Sequence, residues 1–331
     1  MIKLKTEVDL PLFRKKMGYR HQSMMIGSCF AENIGNQLQE LCLPTTVNPF
    51  GILYNPVSIA NGLTILLEGK EFTSRDLFFH ENLYHSFAHH GKFSRPAHDE
   101  MLDFINSKVI EARAVLKGSS HLFITFGTSW VFRFKETGEV VSNCHKLPGT
   151  LFDHYRLQVA QITEIWVPLL HQLFVLNPDL HIVFTVSPIR HLKDGVHDNQ
   201  LSKSTLLLAV DELSSYFGAD HISYFPSYEL LLDELRDYRY YASDMTHPSD
   251  LAIELIREKL ETSFFDQEAK LISSELIKLV QANKHRSQNH NNIGFQGFIK
   301  KQIEIAQQIQ NKYPFIGVDS ILKNLSEKIN I

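Results

Sequence analysis

Short apolar segments that stop at Gly, Ser or Pro alternate with longer amphipathic segments along most of this 331-residue chain. The short segments are rich in β-branched and aromatic residues and lack a strict apolar–polar alternation, which is typical of strands buried on both faces. Strands are predicted on this basis at residues 23–26, 121–126, 181–186 and 221–225. Fragments of buried helices would have the same composition, but such short segments favour strands.

The longer segments carry apolar residues every three or four positions, which predicts amphipathic helices. These helices are predicted at residues 99–117, 155–176, 201–217 and 251–260. Strand, long helix and strand in succession are the signature of an α/β fold, with a parallel sheet and helices on both of its faces. Ligands bind beyond the carboxyl ends of the strands in such folds, so we expect the functional residues where the strands stop.

Two regions interrupt this alternation. Residues 78–98 contain five histidines without a helical or strand period, and they are predicted to form a long surface loop of the kind that is often functional. After a further helical segment at residues 264–280, the polar residues 283–292 are predicted to be an exposed linker that leads into one or two helices. The chain is therefore divided into a main domain at residues 1–265 and a helical C-terminal extension at residues 266–331.

The composition excludes several classes of protein. The formal net charge is −4, so the chain has no excess of positive charge of the kind that binds nucleic acid. Three cysteines cannot all pair within one chain, so a disulfide-built scaffold is excluded. Charges interrupt the N-terminal segment, and no apolar run approaches the roughly 20 residues of a membrane span. We therefore expect a cytoplasmic protein with reduced thiols and no nucleic-acid or membrane partner, and the oligomeric state stays open.

The first strand stops at Gly27-Ser28-Cys29, and a helical pattern follows at once. A small residue followed by a hydroxyl or thiol at a strand-to-helix turn is the layout of an activated nucleophile. Glycine allows a tight turn, and the helix N-terminus favours a thiolate or another anion. A tight turn with Ser28 as helix N-cap and Cys29 buried would give the same pattern, so this alternative stays open here.

Asp244 and His247 stand three residues apart, ahead of the helix predicted at residues 251–260. At this spacing the carboxylate can hold one imidazole nitrogen while the other nitrogen acts as a base. A helix-entry loop with solvated polar groups is the alternative. Together with the turn at Gly27, these two residues supply the three parts of an acyl-transfer site.

These motifs resemble two related groups of proteins. The five letters of residues 27–31 spell the motif that names the GSCFA family, a largely bacterial group. The Gly-x-Ser/Cys turn after the first strand and the Asp-x-x-His close to the last core helix resemble the SGNH/GDSL hydrolase superfamily. Further blocks that look like the GSCFA family lie at residues 48–51, 54–56, 127–130, 143–146, 185–191, 224–229 and 236–239.

The resemblance implies both a fold and a reaction. The fold would be a three-layer α/β/α domain around a mostly parallel five-stranded sheet in flavodoxin-like order. The reaction would be hydrolysis or transfer of an acyl group on a small-molecule or glycan ester, without a cofactor. A non-catalytic protein of the same fold that binds a glycan or a protein partner is an alternative. A metal-dependent hydrolase that uses the histidine-rich residues 78–98 is another.

The resemblance also implies catalytic roles. The nucleophile of the GDSL pattern is the third residue of its motif, which is Cys29 here, whereas Ser28 occupies the place of Asp. We favour Cys29 because the backbone turn fixes which atom faces the base, and Ser28 remains the alternative. His247 would be the general base and Asp244 the residue that orients it.

The superfamily's oxyanion hole is carried over to Gly51, Gly127 and Ser129. Ser129 stands where that superfamily has Asn, and Trp130 stands where it has Asp. A serine hydroxyl can donate one hydrogen bond, but it is shorter than an asparagine side chain. One such donor is typically worth about 3 kcal/mol in rate, so the substitution weakens the expected oxyanion stabilisation.

Substrate contacts are predicted at polar residues on the presumed active face or in the histidine-rich region: Asn48, His89, His90, Arg190, His191 and Lys203. The cationic members could bind an anionic group of the substrate, although local salt bridges to Asp194 and Asp198 would explain them equally well. The histidines at residues 78–98 could line the mouth of the pocket or lie on a solvated surface. Their spacing matches no standard zinc signature, so no metal site is predicted.

Overall fold

The computed structural model describes residues 6–10, 13–284 and 293–328. In chain order, the strands are β1 (Gln22–Gly27), β2 (Thr45–Val47), β3 (Phe78–His80), β4 (Leu83–His85), β5 (Ser119–Phe126), β6 (Trp130–Phe134), β7 (Val140–Val141), β8 (Phe152–Arg156), β9 (His181–Val186) and β10 (Ile222–Tyr224). The helices are α1 (Cys29–Glu40), α2 (Pro56–Glu68), α3 (His98–Gly118), α4 (Val159–Leu176), α5 (Val196–Phe217), α6 (Ser227–Glu229), α7 (Asp250–Phe264), α8 (Gln267–Lys284), α9 (Ile293–Lys312) and α10 (Asp319–Glu327).

The central sheet has five strands in the order β2-β1-β5-β9-β10, and every neighbouring pair is parallel. Numbered along the sheet's own strands, this is the flavodoxin-like order, as predicted. Both faces of the sheet are covered. In β5, Leu122 and Ile124 pack into a core formed with α2 to α5. Phe123, between them, packs into a second core formed with α1, α7 and the C-terminal helices. The three-layer fold is confirmed, and burial on both faces explains why these strands lack an alternating pattern.

Two smaller sheets depart from the sequence-based expectations. Residues 78–98 are not one long loop, because β3 and β4 pair as an antiparallel hairpin whose turn, Glu81 and Asn82, has positive φ at both residues. This turn lacks the Asn-Gly or Asp-Gly pair that usually marks a hairpin in a sequence. A second antiparallel sheet, β7-β6-β8, includes residues 155–156, which were assigned to a helix.

The C-terminal helices α8, α9 and α10 pack in the same apolar core as α1 and α7. The helix predicted at residues 264–280 corresponds to α8, which extends to Lys284. The rest of the predicted linker, residues 285–292, lies outside the described residues. The division of the chain at residue 265 stays a prediction.

Helix α4 bears on the expectation that no apolar run of this chain approaches the length of a membrane span. Within the described residues it is the helix long and apolar enough, by length and composition alone, to cross a membrane. Its residues Ile162, Trp166 and Leu170 are fully buried in the core. A core helix passes the same test, so α4 is weak evidence for a membrane span.

Candidate active site

The turn after β1 is built for a tight change of direction. Gly27 has a φ of +142°, and a Cβ at this position would clash with the carbonyl oxygen of Thr125 on the neighbouring strand. Its N–H donates to Asn48 Oδ1 at 2.8 Å, and the N–H of Ser28 donates to Thr125 O at 3.2 Å. The chain then enters α1 directly at Cys29. The turn therefore places Cys29 at the first position of a helix, at the carboxyl edge of the sheet.

Ser28 and Cys29 lie in different surroundings. Ser28 is 1% exposed, and its Oγ finds no hydrogen-bond partner in the part of the chain that the structure describes. Cys29 is partly exposed, and its Sγ lies 3.9 Å from Nε2 of His247. Of the two candidate nucleophiles, Cys29 is therefore the residue whose side chain lies near His247, and its role as nucleophile stays a prediction.

A loop just before α7 holds His247 in place. Its Nδ1 donates to Asp244 Oδ2 at 2.6 Å, and the other carboxylate oxygen, Oδ1, accepts the N–H groups of Thr246 and His247, each at 2.9 Å. These backbone donors, followed by the imidazole, hold the pKa of Asp244 well below its ordinary range. An ionised carboxylate on Nδ1 fixes the ring orientation and leaves Nε2 facing the thiol. The loop itself is closed by hydrogen bonds from Ala242 N to His247 O and from Ser249 N to Tyr240 O, both at 2.8 Å.

The electrostatic surroundings of Cys29 are mixed. Burial raises the pKa of its thiol above the ordinary value, and Glu32 adds to this effect. The N–H groups of Cys29 and Phe30 in the first turn of α1, together with the buried Lys203, oppose it. The first N–H groups of a helix have no intrahelical partner, so they are available to a thiolate or an oxyanion.

The three predicted oxyanion donors are already engaged with other protein groups. The N–H of Gly51 donates to Asn48 O at 2.7 Å, and the N–H of Gly127 donates to Tyr54 O at 2.7 Å. Ser129 is fully buried, and its hydroxyl donates to Ser202 Oγ at 3.1 Å. In this conformation Ser129 therefore does not replace the asparagine of the superfamily.

Two of the predicted substrate-binding residues lie in the protein interior instead. His89 is 1% exposed and packs among Phe50, Phe72 and Phe93, with ring centroids 5.0 to 5.2 Å apart. Burial lowers its pKa to about 3, so it is a neutral core histidine and does not line a pocket mouth. Asn48 is 2% exposed and supports the turn at Gly27.

Lys203 is also buried, at 1% exposure, and donates to two backbone carbonyls. This burial corrects the expectation that Lys203 binds an anionic substrate group from solvent. Arg190 is exposed. His191 is partly buried and packs edge-on against Tyr54 at 5.2 Å, and burial, Lys203 and His247 together lower its pKa to about 4. His191 therefore forms a neutral wall of the site.

Two further features of the site were not singled out from the sequence. Burial raises the pKa of Tyr54, and the charges of Cys29 and Glu32 add to this effect, so the phenol and the thiol influence each other electrostatically. Glu32 forms an ion pair with Lys92, which follows the partly buried His90. Glu32 lies one helical turn beyond Cys29 on α1, and that spacing is a signal the sequence does contain.

Metal ligation has no candidate site in the described ranges, since no group of three or more His, Cys, Asp or Glu side chains there is placed to hold an ion. His85 and His145 lie 4.5 Å apart between ring centroids, but both are hydrogen-bonded to protein groups. The alternative of a metal-dependent hydrolase therefore has no support among these residues.

A model described as the GSCFA family matches residues 22–260 of the chain. The match covers every strand of the central sheet and includes Cys29, Asp244 and His247. No curated protein matches the sequence.

Three solved structures show a distant likeness. A carbohydrate esterase family 2 enzyme with a carbohydrate-binding domain, from Corynascus thermopiles (Myceliophthora fergusii), is 14% identical over 80% of this chain and 68% of that one, with a TM-score of 0.37. The acetyl xylan esterase Est2A from the rumen bacterium Butyrivibrio proteoclasticus is 9% identical over 76% and 64%, with a TM-score of 0.36. A carbohydrate esterase whose active site has divergent catalytic and non-catalytic binding functions is 12% identical over 78% and 71%, with a TM-score of 0.34. Likenesses with TM-scores this low carry no argument about the reaction of this chain.

Proposed function

The chain belongs to the GSCFA family, and on that premise we propose that it is an acyl-ester hydrolase or acyltransferase with Cys29 as nucleophile. One observation carries the proposal: a continuous line of contacts runs from Asp244 Oδ2 through the His247 ring to Cys29 Sγ. A nucleophile, a base and a residue that orients the base form the triad of acyl transfer.

The reaction would proceed in two halves. His247 Nε2 takes the thiol proton while Cys29 Sγ attacks the ester carbonyl carbon, and the tetrahedral intermediate collapses to a thioester. The alcohol leaves with the proton that His247 returns to it. Water or an acceptor hydroxyl then gives its proton to His247 and attacks the thioester, which releases the acid or a new ester and restores the thiol. The distance of 3.9 Å between sulfur and nitrogen is compatible with this role, because catalytic hydrogen bonds are often long before substrate binds.

The walls of the site support a polar ester as substrate. Tyr54 and Glu32 both interact electrostatically with the thiol, Tyr54 packs against His191, and Glu32 forms an ion pair with Lys92, so these polar groups belong to the neighbourhood of Cys29. Such groups suit the hydroxyls of a carbohydrate or of another small polar acceptor. All three cysteines are free, and the proposed cytoplasmic location would keep the nucleophile reduced.

A non-catalytic protein that binds a glycan or a protein partner through this site is the second candidate. The observation that favours it is the engagement of Gly51, Gly127 and Ser129 with other protein groups, which leaves only the N–H groups at the start of α1, among the described residues, for an oxyanion. Under this hypothesis the chain binds esters or their products without turning them over.

The experiment is an assay of purified protein on p-nitrophenyl acetate and a panel of acetylated monosaccharides. We expect turnover by the wild type and a fall of roughly 10³-fold in His247→Ala, in the range of a lost general base. His21→Ala is the matched control, because this exposed histidine precedes β1 at the opposite edge of the sheet. Full activity in His247→Ala contradicts the proposal, and binding without turnover by the wild type supports the second candidate.

A further inference from the structure

A fully buried lysine lies beneath the candidate active site. Lys203 of α5 is 1% exposed, although lysine is among the residues that proteins bury least often. Its Nζ donates to the carbonyl oxygens of Gly127 and Ser187, each at 2.6 Å. These residues directly follow β5 and β9, so the amino group joins the ends of two central strands at the edge where the site lies.

The Gly127 carbonyl brings Lys203 close to the turn that carries the thiol. A Cβ added at Gly127 would lie 3.4 Å from Cβ of Ser28, and the N–H of Ser28 donates to Thr125 O at 3.2 Å, so the two turns lie side by side. Cys29 is the next residue along the chain. The ammonium of Lys203 accordingly favours the charged form of the Cys29 thiol, and the thiolate favours the charged form of the lysine.

The groups that face Lys203 give it no fixed counter-ion. Among the described residues it has no salt-bridge partner, and its ammonium lies 6.0 Å from the centre of the Tyr228 ring. The titratable side chains around it and around the thiol come from several elements: Cys29 and Glu32 on α1, Tyr54 after β2, His191 after β9, Tyr228 on α6 and His247 before α7. A lysine with two carbonyl acceptors and no carboxylate is therefore free to stabilise a thiolate.

We propose that Lys203 is a positioning residue of the active site, whose ammonium ties the ends of β5 and β9 together and stabilises the thiolate of Cys29. This inference rests on the proposed role of Cys29 as nucleophile. Burial lowers the pKa of Lys203 to about 7, so its charge is present below neutral pH and is lost above it. The stabilisation of the thiolate should follow the same dependence on pH.

The test is the rate at which iodoacetamide alkylates Cys29, measured by mass spectrometry of the peptide that contains it. In Lys203→Met we expect a rate about tenfold lower than in the wild type at pH 6, where the lysine is charged, because loss of a nearby cation raises a thiol pKa. At pH 9, where the lysine is neutral, the two rates should converge. Lys203→Arg, which stays charged, should keep the wild-type rate at pH 6 and exceed it at pH 9.

A purely structural role would change the rate at both pH values alike. Asn199→Ala is the matched control, because this buried residue of α5 also holds the loop after β9, through a neutral hydrogen bond from His191 N. Its alkylation should keep the wild-type pH dependence. Equal ratios of wild type to Lys203→Met at pH 6 and pH 9 would overturn the inference.

A second measurement needs no change at Lys203 and decides the question if Lys203→Met does not fold. Two coupled groups lose their protons in two macroscopic steps, so the logarithm of the wild-type alkylation rate should rise, level off above pH 7 and rise again. The same two-step profile should persist in His247→Ala, which removes the neighbouring imidazole. A single step overturns the inference. Alkylation requires no ester, so failure of the proposed reaction would leave this result intact and readable.

Discussion

Two neighbouring turns at the carboxyl edge of the sheet, at Gly27 and at Gly127, differ in whether they expose or bury the polar side chain that follows. Gly27 is the last residue of β1, and Gly127 directly follows β5, the parallel neighbour of β1. A thiol-bearing or hydroxyl-bearing side chain, Cys29 or Ser129, stands two residues after each glycine. The first turn leads into α1 and leaves Cys29 partly exposed, facing His247. The second turn leads into β6 and buries Ser129 against Ser202. The element that follows each turn, helix α1 or strand β6, therefore determines whether the side chain two residues after the glycine faces the site or lies in the core.

The hydrogen bonds of the two turns show the same contrast. The Gly27 turn is held by hydrogen bonds to Asn48 and to the backbone of Thr125. The Cys29 side chain takes no part in these bonds. At the Gly127 turn, Ser202 Oγ bonds to the hydroxyl groups of Thr128 and Ser129 and accepts the Ser129 N–H at 2.8 Å. A satisfied buried network of this kind stabilises one conformation and resists rearrangement.

The largest expected effect separates the two residues of the first turn. Cys29→Ala should lower kcat/KM for ester hydrolysis by about 10³-fold or more, because it removes the proposed nucleophile. Ser28→Ala should leave kcat/KM within about threefold, since the Ser28 hydroxyl is buried without a partner among the described residues. Steady-state kinetics on the same ester measures both. Loss of activity in Ser28→Ala with activity retained in Cys29→Ala would place the nucleophile at Ser28 and contradict the role assigned to Cys29.

An intermediate effect on kcat is expected at Asp244, the residue that orients His247. Asp244→Asn should lower kcat by roughly 10²- to 10⁴-fold, because an amide does not hold His247 in the tautomer that leaves Nε2 free to accept a proton. Asp250→Asn is the matched control, since this exposed carboxylate lies six residues on, at the start of α7. It should leave kcat within about twofold. Equal losses in the two variants would show that the loop's charge, rather than the orientation of the ring, matters.

The smallest effect on rate is expected at the second turn. Ser129→Ala should change kcat/KM by no more than about twofold, because its hydroxyl bonds to Ser202 instead of facing the thiol. It should lower the free energy of unfolding by about 1 kcal/mol, the net value of a typical hydrogen bond, as measured by urea denaturation. A fall of 10²-fold or more in rate at unchanged stability would assign Ser129 to the oxyanion hole instead.

The sequence predicted the strands best where several buried residues run together. The strand predicted at residues 181–186 has the same bounds as β9, and the strand predicted at residues 121–126 lies within β5, which begins two residues earlier. Strand β2 has three residues and the hairpin turn lacks glycine, so neither leaves a periodic or turn signal. Strand β2 forms because β1, about 22 residues earlier in the chain, offers it hydrogen-bonding partners, whereas β3 and β4 pair with each other across a two-residue turn.

The site could be predicted where its residues stand next to a strand end or a helix start. Cys29 lies two residues after the end of β1, and His247 lies three residues before α7, so their positions at the edge of the sheet follow from topology. The burial of Lys203 and His89 could not be read in the same way. Each owes its surroundings to residues far away in the chain, such as Ser187 on a strand end for Lys203 and Phe50 for His89.

The chemical identity of the acyl-enzyme decides whether Cys29 is the nucleophile. Wild-type protein is mixed with p-nitrophenyl acetate, quenched in acid during turnover and digested, and the peptide that contains residues 28 and 29 is sequenced by mass spectrometry. We expect an acetyl group on Cys29 that neutral hydroxylamine removes, because a thioester is labile to this reagent. An acetyl group on Ser28 that resists neutral hydroxylamine, or turnover with no acylated peptide, would contradict it.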